Sequence, residues 1–217
     1  MKRINRVREY YKALWIVAIA STCVLFSPAN LLAQEQCCED QMPPICDCGA
    51  YCDGYQWQCA ACSPIIVDVA GNGFSLTDSS GGVWFDLTGV GTKKKMSWTA
   101  AGSDDGFLAF DRDGNGVIDS GIELFGNITP QPRSRMPNGF LALAMFDSAE
   151  SGGNGDGMID ALDAAFPNLR IWVDSNHNGI SEPGELFSLT QVDIHSFALR
   201  YQTHRFADEH GNEFRYR

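Results

Sequence analysis

The chain has 217 residues, 44 % of them hydrophobic, which suffices for a packed core and excludes wholesale disorder. Its formal charge is −11, and because the first 33 residues hold five Lys or Arg against one Glu, the remainder carries −15. Such a chain repels nucleic acid and anionic membrane surfaces, so both are excluded as partners, and it attracts cations.

Residues 1–33 open with a basic stretch, Met1–Lys12, followed by the apolar run Ala13–Phe26 and a small residue, Ala33, before Gln34. This layout predicts a secretory signal peptide. The alternative is an uncleaved membrane anchor, but fourteen helical residues rise only about 21 Å against a ~30 Å hydrocarbon core. Export would put the mature chain where disulfides persist and where Ca²⁺ is plentiful.

Residues 34–62 hold seven of the eight cysteines: Cys37, Cys38, Cys46, Cys48, Cys52, Cys59 and Cys62. In an exported chain this density predicts a disulfide-rich segment, with metal binding through Cys59-x-x-Cys62 and Cys46-x-Cys48 as the alternative. Seven is odd, so one thiol is left over, either free or available to join another protein or a second copy of this chain.

From Ser63 to Arg217 the cysteines stop and turns rich in Asp, Asn and Gly recur, each after an apolar run. The turns at Asp68 ("DVAGNG") and Asp86 ("DLTGVG") have Ala70, Thr88 and Val90 where a ligand loop wants carboxylate or amide oxygens. They are expected to be turns of little affinity. The stretch at Asp111 follows "FLAF", expected to be a strand, and offers Asp111, Asp113, Asn115, the Val117 carbonyl and Asp119, with its closing acid, Glu123, one place late. "ELFGN" (Glu123–Asn127) is expected to be a short helix, and Asn127-Ile128-Thr129 has the form of a glycosylation acceptor.

Gly139–Asp147 reads as a helix. The next loop falls into register only if residues 149–153 form a bulged-out insertion, which aligns Asp147, Asn154, Asp156, the Met158 carbonyl, Asp160 and Asp163. "DALDAAF" (Asp160–Phe166) also reads as helical, and "LRIWV" as a strand. That strand leads to the clearest loop, "DSNHNGISEPGE", with Asp174, Asn176, Asn178, the Ile180 carbonyl, Glu182 and Glu185 at positions 1, 3, 5, 7, 9 and 12 and Gly179 at position 6. His177 at position 4 is expected to face solvent. Pro183 and Gly184 sit where an exit helix would begin, and the C-terminal segment predicts a hairpin turning at Gly211-Asn212.

Alternating oxygen donors around a glycine suit Ca²⁺, a hard cation that takes about six to eight oxygens, better than Mg²⁺, which keeps its waters. The competing reading of each loop is an Asx-rich surface turn that binds nothing. The fold expected is α+β: short strands and a few short helices joined by EF-hand-like calcium loops, preceded by the disulfide-rich segment.

The segments "SPIIVDVAGNGFSLT", "GVWFDLTGVG", "SDDGFLAFDRDGNGVIDSGIELFGN", "NGFLALAMFD" and "GDGMIDALDAAFPNLRIWVDSNHNGISEPGEL" resemble, in this order, a calcium-dependent module of large secreted RTX-type proteins, self-processing modules included. The resemblance implies an exported, Ca²⁺-loaded module. In self-processing members it also implies cleavage of an Asp-Pro bond at the module's start, where the aspartyl carboxyl attacks its own peptide carbonyl. This chain has Ser63-Pro64 there and no Asp-Pro anywhere. The expected function is a secreted calcium-binding protein with a structural, adhesive or interaction role; the alternative is a calcium-dependent self-processing module or its relic. No catalytic residue is assigned: Asp193, His195 and Ser196 have suitable chemistry but fall on two faces of an extended segment.

Overall fold

Ile65-Ile66-Val67 and Phe107-Leu108-Ala109 are unbroken apolar runs, and every one of these residues is buried. The reason is their place in a sheet that is covered on both faces. The computed structural model describes residues 63–216 in full, and the backbone of three further strands. In chain order the strands are β1 (Leu14–Ala18), β2 (Ala50–Cys52), β3 (Trp57–Cys59), β4 (Ile65–Asp68), β5 (Val83–Phe85), β6 (Lys94–Met96), β7 (Asp105–Phe110), β8 (Met158–Asp160), β9 (Leu169–Trp172), β10 (Leu186–Ser188), β11 (Ser196–Ala198), β12 (Thr203–Ala207) and β13 (Glu213–Tyr216). One α-helix, α1 (Gly139–Ala144), lies between β7 and β8.

Seven strands form the main sheet in the order β10-β9-β7-β4-β1-β13-β12, and neighbouring strands run antiparallel. Side chains alternate between its faces. Ile65, Val67, Leu108, Leu169 and Ile171 enter one core, which α1 covers with Phe140, Ala142 and Leu143. Ile66, Phe107, Ala109, Trp172 and Phe214 enter the other, with Val83, Phe85 and Trp98 from the β5–β6 hairpin and its exit. Trp98, Trp172, Phe85 and Phe107 pack there with ring centroids 4.4–5.9 Å apart.

The α+β expectation does not hold. The described residues are mostly β, with one short α-helix and a few 3₁₀ turns, and no helix flanks a loop in the EF-hand manner. Strands lead into the loops, because "FLAF" and "LRIWV" place a residue on each face of the sheet in turn. Asp160–Phe166, expected to be helical, leaves β8 and runs through turns to a 3₁₀ helix at Phe166–Asn168. Glu123–Asn127, also expected to be helical, is irregular, with a bend at Glu123, an isolated bridge from Leu124 to Ala109 and bends after it. The helix at Gly139 is present, capped by the buried Asn138, whose Oδ1 accepts from the Phe140 and Leu141 amides at 3.0 and 3.2 Å. The C-terminal hairpin is present as β12–β13.

β1 falls in the stretch expected to be a signal peptide, and here it pairs with both β4 and β13. The rest of residues 1–33, and the cysteine pairing of residues 34–62, lie outside the described residues.

Candidate cation-binding loops

Each loop begins on an aspartate whose carboxylate gathers the amides of the turn it opens. Asp111 Oδ1 accepts from the Gly114 and Asn115 amides at 2.8 and 3.2 Å, and Oδ2 from Gly116 at 2.8 Å. Asp174 Oδ1 accepts from Asn178 at 3.0 Å and Oδ2 from Gly179 at 2.8 Å. Gly116 and Gly179 sit at φ 85° and 70°, a left-handed conformation that a side chain would oppose, so the turn closes at a glycine. The Asp147 loop has the same wheel in a longer chain. Asp147 Oδ1 takes the Gly155 and Asp156 amides at 2.9 and 3.2 Å, and Oδ2 takes Gly157 at 2.9 Å. Residues 149–153 are looped out, starting with a 3₁₀ turn at Ala149–Ser151.

An acid closes each loop by bridging its first and second halves. Glu185 accepts from the Ser175 amide at 3.0 Å on Oε1 and from the Glu182 amide at 3.4 Å on Oε2. Glu123 accepts from Arg112 at 3.2 Å on Oε1 and from Asp119 at 2.9 Å on Oε2. These are the second and ninth residues of each loop, so Glu123 reaches the same place as Glu185 although it stands one residue late. The extra residue is taken up in the turn from Ser120 to Glu123, where the Glu123 amide bonds the Ser120 carbonyl at 3.1 Å. Asp163 bridges Asn154 and Asp160 at 3.3 and 2.8 Å.

These sites crowd oxygens together. Asp111, Asp113 and Glu123 each bring a carboxylate oxygen within 4.8 Å of the others. Burial raises the Glu123 carboxyl above its usual range, and burial followed by the neighbouring Glu182 raises Glu185. Glu182 Oε2 is buried without a hydrogen bond from any described residue. Around it, Asn178 Nδ2 donates to Glu182 Oε1 at 2.8 Å, and Asn115 Nδ2 donates to Asp113 Oδ2 at 3.0 Å in the neighbouring loop. An all-oxygen donor set with an unsatisfied buried oxygen fits a hard divalent cation.

The Asp174 loop is locked to its surroundings. Trp98 Nε1 donates to Asp174 Oδ2 at 2.7 Å inside the core. His177, expected to face solvent, instead hydrogen-bonds through its ring, whose two nitrogens lie 2.7 Å from the Thr99 and Gly81 carbonyl oxygens. That bonding holds it at φ 58°, an uncommon conformation for a side-chain-bearing residue. The loops also meet each other, since the Ile118 amide donates to Ser181 Oγ at 2.6 Å in a buried contact. Ile118 and Ser181 are each the eighth residue of their loop.

The remaining candidates resolve differently. Asn127, the glycosylation-acceptor position, is buried, and its Oδ1 accepts the Ser63 amide and hydroxyl at 3.1 and 3.3 Å. Asp193 and His195 form a solvent-exposed pair at 3.1 Å. The Asp86 turn has the same amide wheel, from Gly89, Val90 and Gly91. The Asp68 turn has it too, and there the sequence reading missed Asp104 and Asp105, which the β4–β7 pairing carries beside Asp68.

Residues 65–217 match the SPM domain family. The chain belongs to the SPM domain family. Its SPM domain thus takes in all three loops and both cores, and begins two residues after Ser63. The chain is also similar to the iron-regulated protein FrpA of Neisseria meningitidis serogroup C, 41 % identical over 142 residues, which is 64 % of this chain and 12 % of that protein. The SPM domain chain therefore spans only a small part of its relative's length.

Proposed function

We propose that this SPM domain is an exported calcium-binding module whose fold is tightened by the ions it holds, with a structural or interaction role. The observation that supports it most is the shared geometry of the loops at Asp111, Asp147 and Asp174: one amide wheel, closed in each case by an acid that joins the two halves. The ligand sets are Asp111, Asp113, Asn115, Val117, Asp119 and Glu123; Asp147, Asn154, Asp156, Met158, Asp160 and Asp163; and Asp174, Asn176, Asn178, Ile180, Glu182 and Glu185. Val117, Met158 and Ile180 would contribute backbone carbonyls. Ca²⁺ would neutralise carboxylates that otherwise repel each other and would stabilise the state that binds it.

The test is a melting curve in millimolar Ca²⁺ and in excess chelator. A rise of several degrees with Ca²⁺ is expected; superimposable curves would refute the proposal. The Asp174 loop has only three carboxylates, so its dissociation constant should be on the order of 10⁻⁴–10⁻³ M, the range of extracellular modules. Glu185→Ala should remove one ion from the calorimetric count, and an unchanged count would rule this loop out.

Family membership favours a second reading, calcium-driven self-processing. Against it stands Ser63, which has no carboxyl to attack the Ser63–Pro64 carbonyl and whose hydroxyl is bonded to Asn127. Fragments beginning at Pro64 after incubation with Ca²⁺ would establish it.

A further inference from the structure

The turn at Asp68 has the first half of a ligand loop and, within its own sequence, no second half. Asp68 Oδ1 accepts from Gly71 and Asn72 at 2.8 and 3.1 Å, and Oδ2 from Gly73 at 2.7 Å. The third position is Ala70, and the nearest acid downstream, Asp78, turns away to Ser80 and Gly81. The closing acids come instead from the start of β7. Asp104 Oδ2 accepts the Ala70 amide at 2.6 Å, and its Oδ1 accepts from Asn72 Nδ2 at 2.9 Å. In the complete loops the closing acids Glu185 and Asp163 likewise accept the amide of the third residue, from Asn176 and Asn154 at 3.4 and 3.3 Å. Asp105 stands directly opposite Asp68 in the β4–β7 register.

We propose that Asp68, Asp104 and Asp105 form a further Ca²⁺ site, a loop whose closing acids are supplied across the sheet. One carboxylate oxygen from each lies within 4.8 Å of the others. Like charges facing each other across a strand pair are destabilising unless something stands between them. An independent observation points to that something: Asp105 is 1 % exposed, Oδ2 accepts the Ser75 amide at 2.7 Å, and Oδ1 has no hydrogen-bond partner among the described residues. A buried carboxylate oxygen with no donor beside two more carboxylates is a ligand position. The Asp86 turn supplies the contrast. It has the same wheel, but among the described residues no pair of acids gathers around Asp86 as Asp104 and Asp105 do around Asp68. The Asp68 site lies outside the three loops proposed above and does not depend on their being filled.

The test follows the backbone amides of Gly73 and Gly179 in the ¹⁵N-labelled full chain while CaCl₂ is added. Gly73 donates to Asp68 and reports this site; Gly179 donates to Asp174 and reports the last loop. Both signals should shift to saturation. In the double variant Asp104→Asn with Asp105→Asn, the Gly73 shift should be lost and the Gly179 shift kept. A wild-type Gly73 signal that stays in place while Gly179 moves overturns this site and leaves the loop proposal standing. A Gly73 signal that moves with an unchanged midpoint in the folded double variant overturns it as well. If the variant does not fold, the wild-type titration alone decides. A motionless Gly179 counts against the Asp174 loop only.

Discussion

Asp105 shows what a single residue gives up to sit at the end of a strand. Burial lifts its carboxyl to about 7, with the charges of Asp104 and Asp68 adding to the rise and the Ser75 amide opposing it. The unfolded chain ionises near the ordinary value of 3.8, so this group favours the metal-free fold below that pH. The contribution is lost as pH climbs towards about 7. Asp105→Asn should therefore raise the melting temperature in chelator at neutral pH, by an amount that shrinks as pH falls to 4, and lower it in saturating Ca²⁺. Calorimetry under both conditions measures the two signs. Glu123 and Glu185 are shifted upward for the same reason, burial, so the chelated protein as a whole should weaken between the ordinary carboxylate range and neutrality. His177 acts in the opposite sense, by holding its loop down. His177→Ala removes the ring's hydrogen bonding to the Thr99 and Gly81 carbonyls and should cost about 1–2 kcal/mol in denaturant titration.

The elements were legible in the sequence where every contributing residue is local. The turn of Asp174–Glu185 was legible because its first aspartate, its glycine and its closing acid lie within twelve consecutive residues. The insertion at 149–153 was legible because the spacing on either side remains in register. What escaped was anything delivered by pairing. Asp104 and Asp105 reach the Asp68 turn only because β4 and β7 are neighbours, and the turn's own sequence, with Ala70 at its third position, gives no sign of it. The helices failed for a related reason. Asp160–Phe166 has helical spacing, but the Asp163 carboxylate takes the Asp160 amide at 2.8 Å and fixes a turn where a helix would begin. A tryptophan also joins element to loop. Because Trp98 donates to Asp174, indole fluorescence should change as Ca²⁺ fills that loop, and Trp98→Phe should abolish the change. A full response in that variant would place the signal on another tryptophan.

At the scale of the whole molecule, the main sheet is continuous only through β1. Its strand Leu14–Ala18 stands between β4 and β13, and cleavage near Ala33 would take that strand away. A chain starting at Gln34 should exchange the amide hydrogens of Ile65–Val67 and Phe214–Tyr216 at least tenfold faster than the full chain, as hydrogen-exchange mass spectrometry can measure. Equal rates would mean that another segment takes the place of β1. Both cores reach across that slot, since β13 gives Tyr216 to the core that α1 closes and Phe214 to the one that the β5–β6 hairpin and Trp98 close.

The small contact between Ile118 and Ser181 has the widest reach. It ties the midpoints of two loops, so neither can contract around an ion without drawing on its neighbour. If both loops take up ions as proposed, linkage makes that pull mutual, and uptake at the pair would be steeper than at two isolated receptors. The chain would then respond to its surroundings as a threshold device, slack where the ion is scarce and taut where it is abundant. Ser181→Ala would flatten the curve without removing either receptor.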